Sequence, residues 1–177
     1  GENENTIIIF AGDIGLAVGQ HGLMGKQNVY EHSVGVPLMI KAAAQHTGKK
    51  TADLCYLIDV FPTLCDMLQL PVPQSVDGIS LLSSLDGKEP VSGYLYYSYM
   101  DNQRGISDGT WKLIEYHVNG KRTTQLFNLK NDPWERNDLS GQKKYEKTIQ
   151  RLREKMAEEQ KRTNDTSVFS NTFGYLL

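Results

Sequence analysis

The 177-residue chain has room for about one ordinary domain with a buried core. Its composition, 39% apolar and 23% charged, is typical of a folded protein and excludes a largely disordered chain. The net charge of −2 gives no reason to expect a nucleic-acid partner. No apolar run approaches the roughly 18 residues that are needed to span a bilayer, so no membrane-spanning helix is predicted.

The first half of the chain contains two strand-like runs and one helix. The run "TIIIF" (6–10) is β-branched and continuously apolar, which predicts a strand buried on both faces of a sheet. The run "VPLMIKA" (36–42) resembles it. Apolar residues at helical spacing predict a helix from about 60 to 70 that stops before Pro71, with Asp59 placed to cap its start.

The second half of the chain has the pattern of a small antiparallel sheet followed by a helix. Short aromatic or alternating runs cover residues 93–100, 104–108, 110–118 and 122–129. Asn119-Gly120, between the last two runs, is a strong hairpin signal. A charged helix is predicted over 143–162, with its apolar face formed by Tyr145, Ile149, Leu152 and Met156.

The stretch "AGDIGLAVGQHGLMGK" (11–26) has the composition of an anion-binding loop. A phosphate-binding P-loop is excluded, because Gln20 stands where its first Gly belongs and Gln27 where its Ser or Thr belongs. Two interpretations remain open on spacing alone. In the first, the glycines only allow the chain to turn. In the second, Asp13, at the end of a buried strand, and Lys26 form a site for an anion and a metal ion.

Four stretches of the chain together resemble the sulfatase family, in the alkaline phosphatase-like superfamily. "GDIGLAVGQHGLMGKQNVYEHSVGVPLMI" is similar to the segment that reads S-D-[HN]-G, G-[EQ]-H-G, G-K, Y/F-E and R-V-P. "LIDVFPTLCDMLQLPVPQSVDGISLLSSLDG" resembles the D-x-x-P-T helix and D-G-x-S-L turn of this family. "RGISDGTWKLIEY" and "QLFNLKNDPWERNDL" resemble its y-K-L-i strand and its closing L-Y-D-L-x-x-D-P-x-E-x-x-N-L. The motifs keep the family's order over residues 6–160.

The resemblance implies an α/β fold, α+β within this chain. It places the end of the alkaline phosphatase-like α/β domain before a small four-stranded antiparallel sheet packed against a C-terminal helix. The corresponding division is 1–90 for the C-terminal part of the catalytic domain, 91–163 for the sheet-and-helix subdomain, and 164–177 for an irregular tail. The chain is thus identified as the C-terminal portion of a sulfatase.

The resemblance also implies a reaction and site residues. Sulfatases hydrolyse sulfate esters with a formylglycine nucleophile, made from a C-x-P-S-R or S-x-P-S-R motif, and with a Ca²⁺ that polarises the sulfate. By position, Asp13 matches a metal ligand and Lys26 a sulfate-contacting lysine. His21 is expected either to border the substrate pocket or to make an orienting hydrogen bond under the loop. Glu31 and His32 are expected to stabilise the loop.

Two positions depart from the family pattern. Ile14 stands where Asn or His usually follows the Asp, and it offers no donor atom to a cation, so Ca²⁺ binding is expected to be weaker. Gly35 stands where Arg usually precedes Val-Pro. Neither Cys55 nor Cys65 begins a C-x-P-S-R motif. We therefore assign no catalytic residue here and expect this polypeptide alone to have no sulfatase activity.

Two other functions stay open on the sequence. One is a non-catalytic pseudoenzyme or truncated-gene module that binds carbohydrate or a partner. The other is a phosphate or phosphonate ester hydrolase of the same superfamily. For the full-length protein, the resemblance implies a sulfated small molecule or glycan as partner and export to the periplasm or another exported location, with no signal in this chain. The exposed strand edges expected near residues 6–10 predict pairing with a second copy, rearrangement or loss of order over residues 1–35.

Overall fold

The computed structural model describes residues 2–42 and 48–166, and its contacts divide the chain into two units. The first unit comprises Gly1–Asp13 and Val36–Gly93, and the second comprises Ile14–Gly35 and Tyr94–Leu177. From Ile14 onward, the glycine-rich stretch therefore groups with the later unit in this chain, and the predicted division at residue 90 stays a prediction. Within the described ranges, no helix is both long enough and apolar enough to cross a membrane.

The structure contains the predicted helices and strands in their predicted order, together with four short elements that the sequence did not predict. In chain order they are β1 (Ile8–Ala11), β2 (Ala17–Val18), β3 (Met24–Gly25), α1 (Glu31–Val34), β4 (Leu38–Lys41), α2 (Val60–Met67), α3 (Leu82–Leu85), β5 (Leu95–Tyr99), β6 (Gln103–Ser107), β7 (Trp111–Val118), β8 (Lys121–Asn128) and α4 (Glu146–Arg162). Of the predicted irregular tail, residues 167–177 lie outside the described residues.

In the first unit, β1 and β4 form a two-stranded antiparallel ribbon. The apolar run of residues 6–10 is typical of a strand buried on both faces, but in this chain the side chains of Ile8, Phe10 and Met39 are 49%, 57% and 59% exposed. A strand is buried on both faces only where a layer of structure covers each side of the sheet. The described residues of this unit leave the face with these three side chains open.

The predicted helix of the first unit is confirmed as α2, which ends at Met67. The prediction that Asp59 caps this helix is wrong, since its side chain makes no cap hydrogen bond to it. The Asp59 carboxylate instead accepts the backbone N–H groups of Tyr56 at 2.7 Å and Ile79 at 2.8 Å. Asp59 therefore links the start of α2 to Ile79, which directly follows Asp77-Gly78.

The predicted four-stranded antiparallel sheet is confirmed in the second unit, and its strand order is β5-β6-β7-β8. Asn119 and Gly120 connect β7 to β8 with φ angles of 51° and 74°, which is the conformation that two-residue hairpin turns require. The predicted C-terminal helix is confirmed as α4. It covers one face of the sheet, where the buried cluster contains Ile106, Leu113, Leu126, Ile149, Leu152, Met156 and Ala157, with Tyr145 packed at its edge.

The segment 14–35 covers part of the opposite face of the same sheet. Val29 and Tyr30 from this segment form a buried cluster with Ile114 of β7 and Phe127 of β8. The sheet thus packs against a helix on one side and, in part, against segment 14–35 on the other. This packing fixes the position of the segment that carries two of the predicted site residues, His21 and Lys26.

Candidate functional site

The three predicted site residues belong to different units of the chain. Asp13 follows β1 in the first unit, whereas His21 and Lys26 lie in the segment 14–35 of the second. All three side chains are exposed, and so is that of Ile14, at 40%. Each unit is therefore described by itself, and the roles predicted for Asp13 and Lys26 stay predictions.

The path of segment 14–35 depends on a close approach of the backbone to itself. Gly15 donates its N–H to the carbonyl oxygen of Ser33 at 2.8 Å. A Cβ atom at Gly15 would lie 2.0 Å from the carbonyl oxygen of His32, so a larger residue cannot occupy this position without moving the backbone. At least one glycine of the motif therefore has a structural role that needs no ligand.

The His21 ring is held by a stack of aromatic side chains. It lies parallel to the Tyr30 ring, with 4.0 Å between ring centroids, and His32 stacks at 5.6 Å from His21. Nε2 of His21 lies 3.2 Å from the carbonyl oxygen of Trp134, a hydrogen bond when that nitrogen carries the proton. Burial, with smaller contributions from His21 and Lys112, lowers the pKa of His32. These contacts hold the His21 ring in one orientation, and its predicted role stays a prediction.

His21 also borders a cavity on the face of the sheet opposite α4, which we call the sheet cavity. Its volume is about 680 Å³. It is lined by His21, Leu23, Gln27, Asn28, Tyr30, Gln103, Tyr116, Val118, Asn119, Lys121, Thr123 and Gln125. The Tyr30 hydroxyl donates to Oε1 of Gln125 at 2.7 Å. Burial, together with a hydrogen bond to Tyr30, raises the pKa of Tyr116, so its hydroxyl stays protonated at any physiological pH. Both predicted roles of His21 are thus compatible with its position.

A buried cluster of charged side chains fixes the segment to the sheet. Lys112 of β7 is fully buried, and its Nζ lies 2.7 Å from Oε1 of Glu31 and 3.0 Å from Oε1 of Glu135. Oε2 of Glu135 accepts the N–H of Glu31 at 2.6 Å. Burial raises the pKa of Glu135, although the Lys112 ammonium and the Glu31 N–H act in the opposite direction. We call these three residues the charge cluster.

The charge cluster joins three motifs that are far apart in the sequence. Glu31 belongs to "YEHS", Lys112 to "WKLI" and Glu135 to "DPWER". Sequence reasoning assigned Glu31 to stabilisation of the loop, in agreement with this contact, but it missed Lys112 and Glu135 as partners. The available signal was a lysine among apolar neighbours in "WKLI", because a buried lysine needs a carboxylate.

The described residues do not by themselves form a metal centre. Residues 2–42 and 48–166 contain no group of three or more His, Cys, Asp or Glu side chains that could hold a metal ion. Asp13 offers one carboxylate, and the neighbouring Ile14 offers no donor. Since Ca²⁺ takes about six to eight oxygen ligands, this set does not fit a calcium ion without further residues.

Comparison with known proteins identifies the family. The family model described as "N-sulphoglucosamine sulphohydrolase, C-terminal" matches residues 19–162. This chain belongs to that family. The match extends over the segment with His21 and Lys26, the four-stranded sheet and helix α4. The resemblance to sulfatases derived from the motifs is therefore confirmed for the C-terminal portion of these enzymes.

Relatives and solved structures agree with this assignment. The sulfatase-family chain is 31% identical to N-acetylglucosamine-6-O-sulfatase of Bacteroides thetaiotaomicron over 178 residues, covering 93% of this chain and 32% of the relative. A protein solved in complex with its substrate, D-glucosamine-2-N,6-O-disulfate, matches this chain with a TM-score of 0.73 and 28% identity. The match covers 94% of this chain and 36% of that protein. Phosphonate monoester hydrolase of Agrobacterium radiobacter shares the fold, with a TM-score of 0.74 at 23% identity, covering 90% of this chain and 36% of that one.

The sulfatase-family chain spans about a third of the length of these relatives. The predicted fold class is confirmed, since the chain matches sulfatase structures and contains the four-stranded antiparallel sheet and the helix packed on it.

Proposed function

We propose that this chain is the C-terminal part of a sulfatase that hydrolyses sulfate esters of a glycan. The observation that carries the proposal is the match of residues 19–162 to the C-terminal family of N-sulphoglucosamine sulphohydrolase. The 31% identity to a sulfatase named for N-acetylglucosamine 6-O-sulfate supports a sulfated sugar as the substrate class. A sulfatase acting on such a glycan is expected to be exported, which is the location we propose.

In the proposed enzyme, Lys26 binds the sulfate group of the substrate. Its ammonium group is a compact cation on a flexible stem, and in this chain it is exposed and able to meet an anion. The positive charge of the ammonium group stabilises the negative charge that builds up on the sulfate oxygens as the ester bond breaks. His21, held by Tyr30 and the Trp134 carbonyl, borders the substrate rather than reacting with it.

Asp13 contributes one carboxylate to a Ca²⁺ ion in the proposed full-length enzyme. When bound, the ion supplies charge stabilisation to the sulfate. Because Ile14 removes the usual neighbouring ligand, most of the coordination must come from residues outside this chain. The formylglycine nucleophile is likewise proposed to come from sequence outside this chain, since neither Cys55 nor Cys65 lies in the required motif.

Each of two other functions is supported by one observation. The shared fold with a phosphonate monoester hydrolase supports phosphonate or phosphate ester hydrolysis. Ile14, which weakens the metal site, supports a non-catalytic module that binds a carbohydrate or a partner. Sulfate and phosphate groups share their tetrahedral oxygen geometry. The residues of this chain alone therefore do not distinguish a phosphonate or phosphate ester hydrolase from a sulfatase.

The test is a comparison of ester substrates on the full-length protein and on the 177-residue chain. We expect the full-length protein to hydrolyse glucosamine 6-sulfate at least about tenfold faster than phenyl phosphonate esters, and the chain alone to hydrolyse neither. Faster cleavage of the phosphonate would contradict the sulfatase and favour the hydrolase alternative. No hydrolysis of either ester by the full-length protein would favour the non-catalytic module.

A further inference from the structure

We propose that the sheet cavity binds a sugar unit of a sulfated glycan, with Lys121 contacting a sulfate group of that unit. The class of ligand rests on the proposed function, and the binding itself is argued from the cavity. Its volume of about 680 Å³ lies within the range of about 300–1,000 Å³ that is usual for small-molecule sites.

The sheet presents several cavity side chains on one face. Gln103 of β6 pairs with Tyr116 of β7, and Tyr116 pairs with Thr123 of β8, so these three form a row across the sheet. Val118 lies opposite Lys121 two positions further along the hairpin. Because side chains alternate between faces along a strand, all five point to the side away from α4.

The charges of the sheet cavity favour an anionic ligand. Among the described residues that line it there is no aspartate or glutamate, although the chain contains 21 acidic residues. Lys121 supplies a full positive charge at the rim of the cavity. A sulfate group next to Lys121 would therefore meet a cation and no competing carboxylate from the cavity wall.

The uncharged lining suits the hydroxyl groups and ring of a sugar. Five of the lining residues carry side-chain amides, which both donate and accept hydrogen bonds: Gln27, Asn28, Gln103, Asn119 and Gln125. Tyr116, which is only partly buried, adds aromatic surface for the apolar face of a sugar ring.

Part of the lining is already held in place without a ligand. Oδ1 of Asn28 accepts the N–H of Tyr30 at 3.1 Å, and the Tyr30 hydroxyl holds Gln125 at 2.7 Å. The His21 ring stacks on Tyr30 and restricts the position of the Tyr30 ring further. A site whose side chains are ordered beforehand loses less conformational entropy on binding.

The test is a calorimetric titration of the 177-residue chain with a heparin-derived tetrasaccharide and with its desulfated form. We expect saturable binding of the sulfated probe and about tenfold weaker binding of the desulfated one, since a hydrogen bond to a charged group contributes roughly that factor. Lys121→Ala should weaken binding of the sulfated probe about tenfold. The matched control is Arg122→Ala, which removes the same charge from the next residue on the opposite face of β8, and it should change affinity less than about twofold.

Equal losses in the two variants would mean general attraction of a polyanion and would overturn the proposal, as would equal binding of the desulfated probe. Both substitutions are at exposed positions, and circular dichroism checks that both variants are folded. If the chain shows no saturable binding while the full-length protein hydrolyses sulfate esters, the cavity proposal fails and the proposed function stands. If the chain binds as expected but the full-length protein hydrolyses no sulfate ester, the cavity proposal stands and the proposed function fails.

Discussion

The two units of this chain differ in how they bury their apolar side chains. In the second unit, α4 covers one face of the sheet, and Val29 and Tyr30 of segment 14–35 cover part of the other. In the first unit, the described residues contribute Cys65 and Leu81 to the buried core, whereas the β1–β4 ribbon leaves large apolar side chains exposed. An open apolar face of this kind is typical of a surface that another layer of protein covers.

The difference shows where the family motifs have structural roles. In the second unit, three motifs meet in the charge cluster and hold the segment that carries His21 and Lys26 on the sheet. In the first unit, Asp13 follows a strand whose own packing is incomplete within the described residues. We therefore expect the second unit to hold its shape in this chain, and the first to depend more on its surroundings.

Removal of the cation from the charge cluster should have the largest effect on the second unit. Lys112→Ala leaves the carboxylates of Glu31 and Glu135 without their partner, and the loss of one member of a buried pair costs about 3–5 kcal/mol. Urea unfolding of the chain measures this free energy. Lys130→Ala, at an exposed loop position, serves as the control. A loss below about 1 kcal/mol for Lys112→Ala would show that the cluster does not hold the unit together.

One substitution of isoleucine by alanine in a strand of each unit compares how much buried apolar surface stabilises the two units. Ile106→Ala in β6 removes a fully buried side chain and should cost about 2–5 kcal/mol in the free energy of unfolding. Ile8→Ala in β1 removes a half-exposed side chain and should cost less than about 1 kcal/mol in the same chain. Urea unfolding followed by circular dichroism compares the two. Equal costs would mean that β1 is covered in solution, as in the predicted pairing with a second copy.

The charge cluster also predicts a dependence of stability on pH. Because burial raises the pKa of Glu135 above its ordinary value of 4.5, the folded chain binds more protons at this group than the unfolded chain from about pH 4.5 up to the raised pKa. The contribution of Glu135 to stability therefore falls as pH rises through this window, by about 1.4 kcal/mol for each pH unit that the window spans. Glu135→Gln removes the titration.

The measurement is urea unfolding of the native chain and of Glu135→Gln at several pH values between 4 and 7. The free energy of unfolding of the native chain, minus that of the variant, should decrease as pH rises. Glu154→Gln, at an exposed position on α4, should give a difference that changes little. A difference for Glu135→Gln that increases with pH would mean that the Lys112 ammonium outweighs burial.

The elements of the second unit could be predicted because their signals are local. Asn119-Gly120 fixes a hairpin by its own backbone preferences, and Ile149, Leu152 and Met156 recur at the spacing of one helix face. The exposure of β1 could not be predicted in the same way. Its apolar run identifies a strand, but burial depends on which other layers are present, and no pattern within residues 6–10 contains that information.

The contacts of the candidate site were harder to predict because they join distant parts of the chain. Lys112 lies 81 positions from Glu31, and Glu135 lies 104 positions from it, so no spacing rule links them. His21 was identified from its motif, but its stack on Tyr30 and its hydrogen bond to the Trp134 carbonyl depend on the fold of the segment over the sheet. The sheet cavity likewise combines residues of the segment with three strands.

The account depends most on Lys26 being the group that binds the sulfate in the full-length enzyme. The direct measurement is kcat/KM for glucosamine 6-sulfate with Lys26→Ala and with the matched loop control Lys130→Ala. The account predicts a loss of about 100-fold or more for Lys26→Ala, which is the usual cost of removing one group that stabilises transition-state charge, and a change below about twofold for the control. Equal values of kcat/KM for the two variants would contradict it.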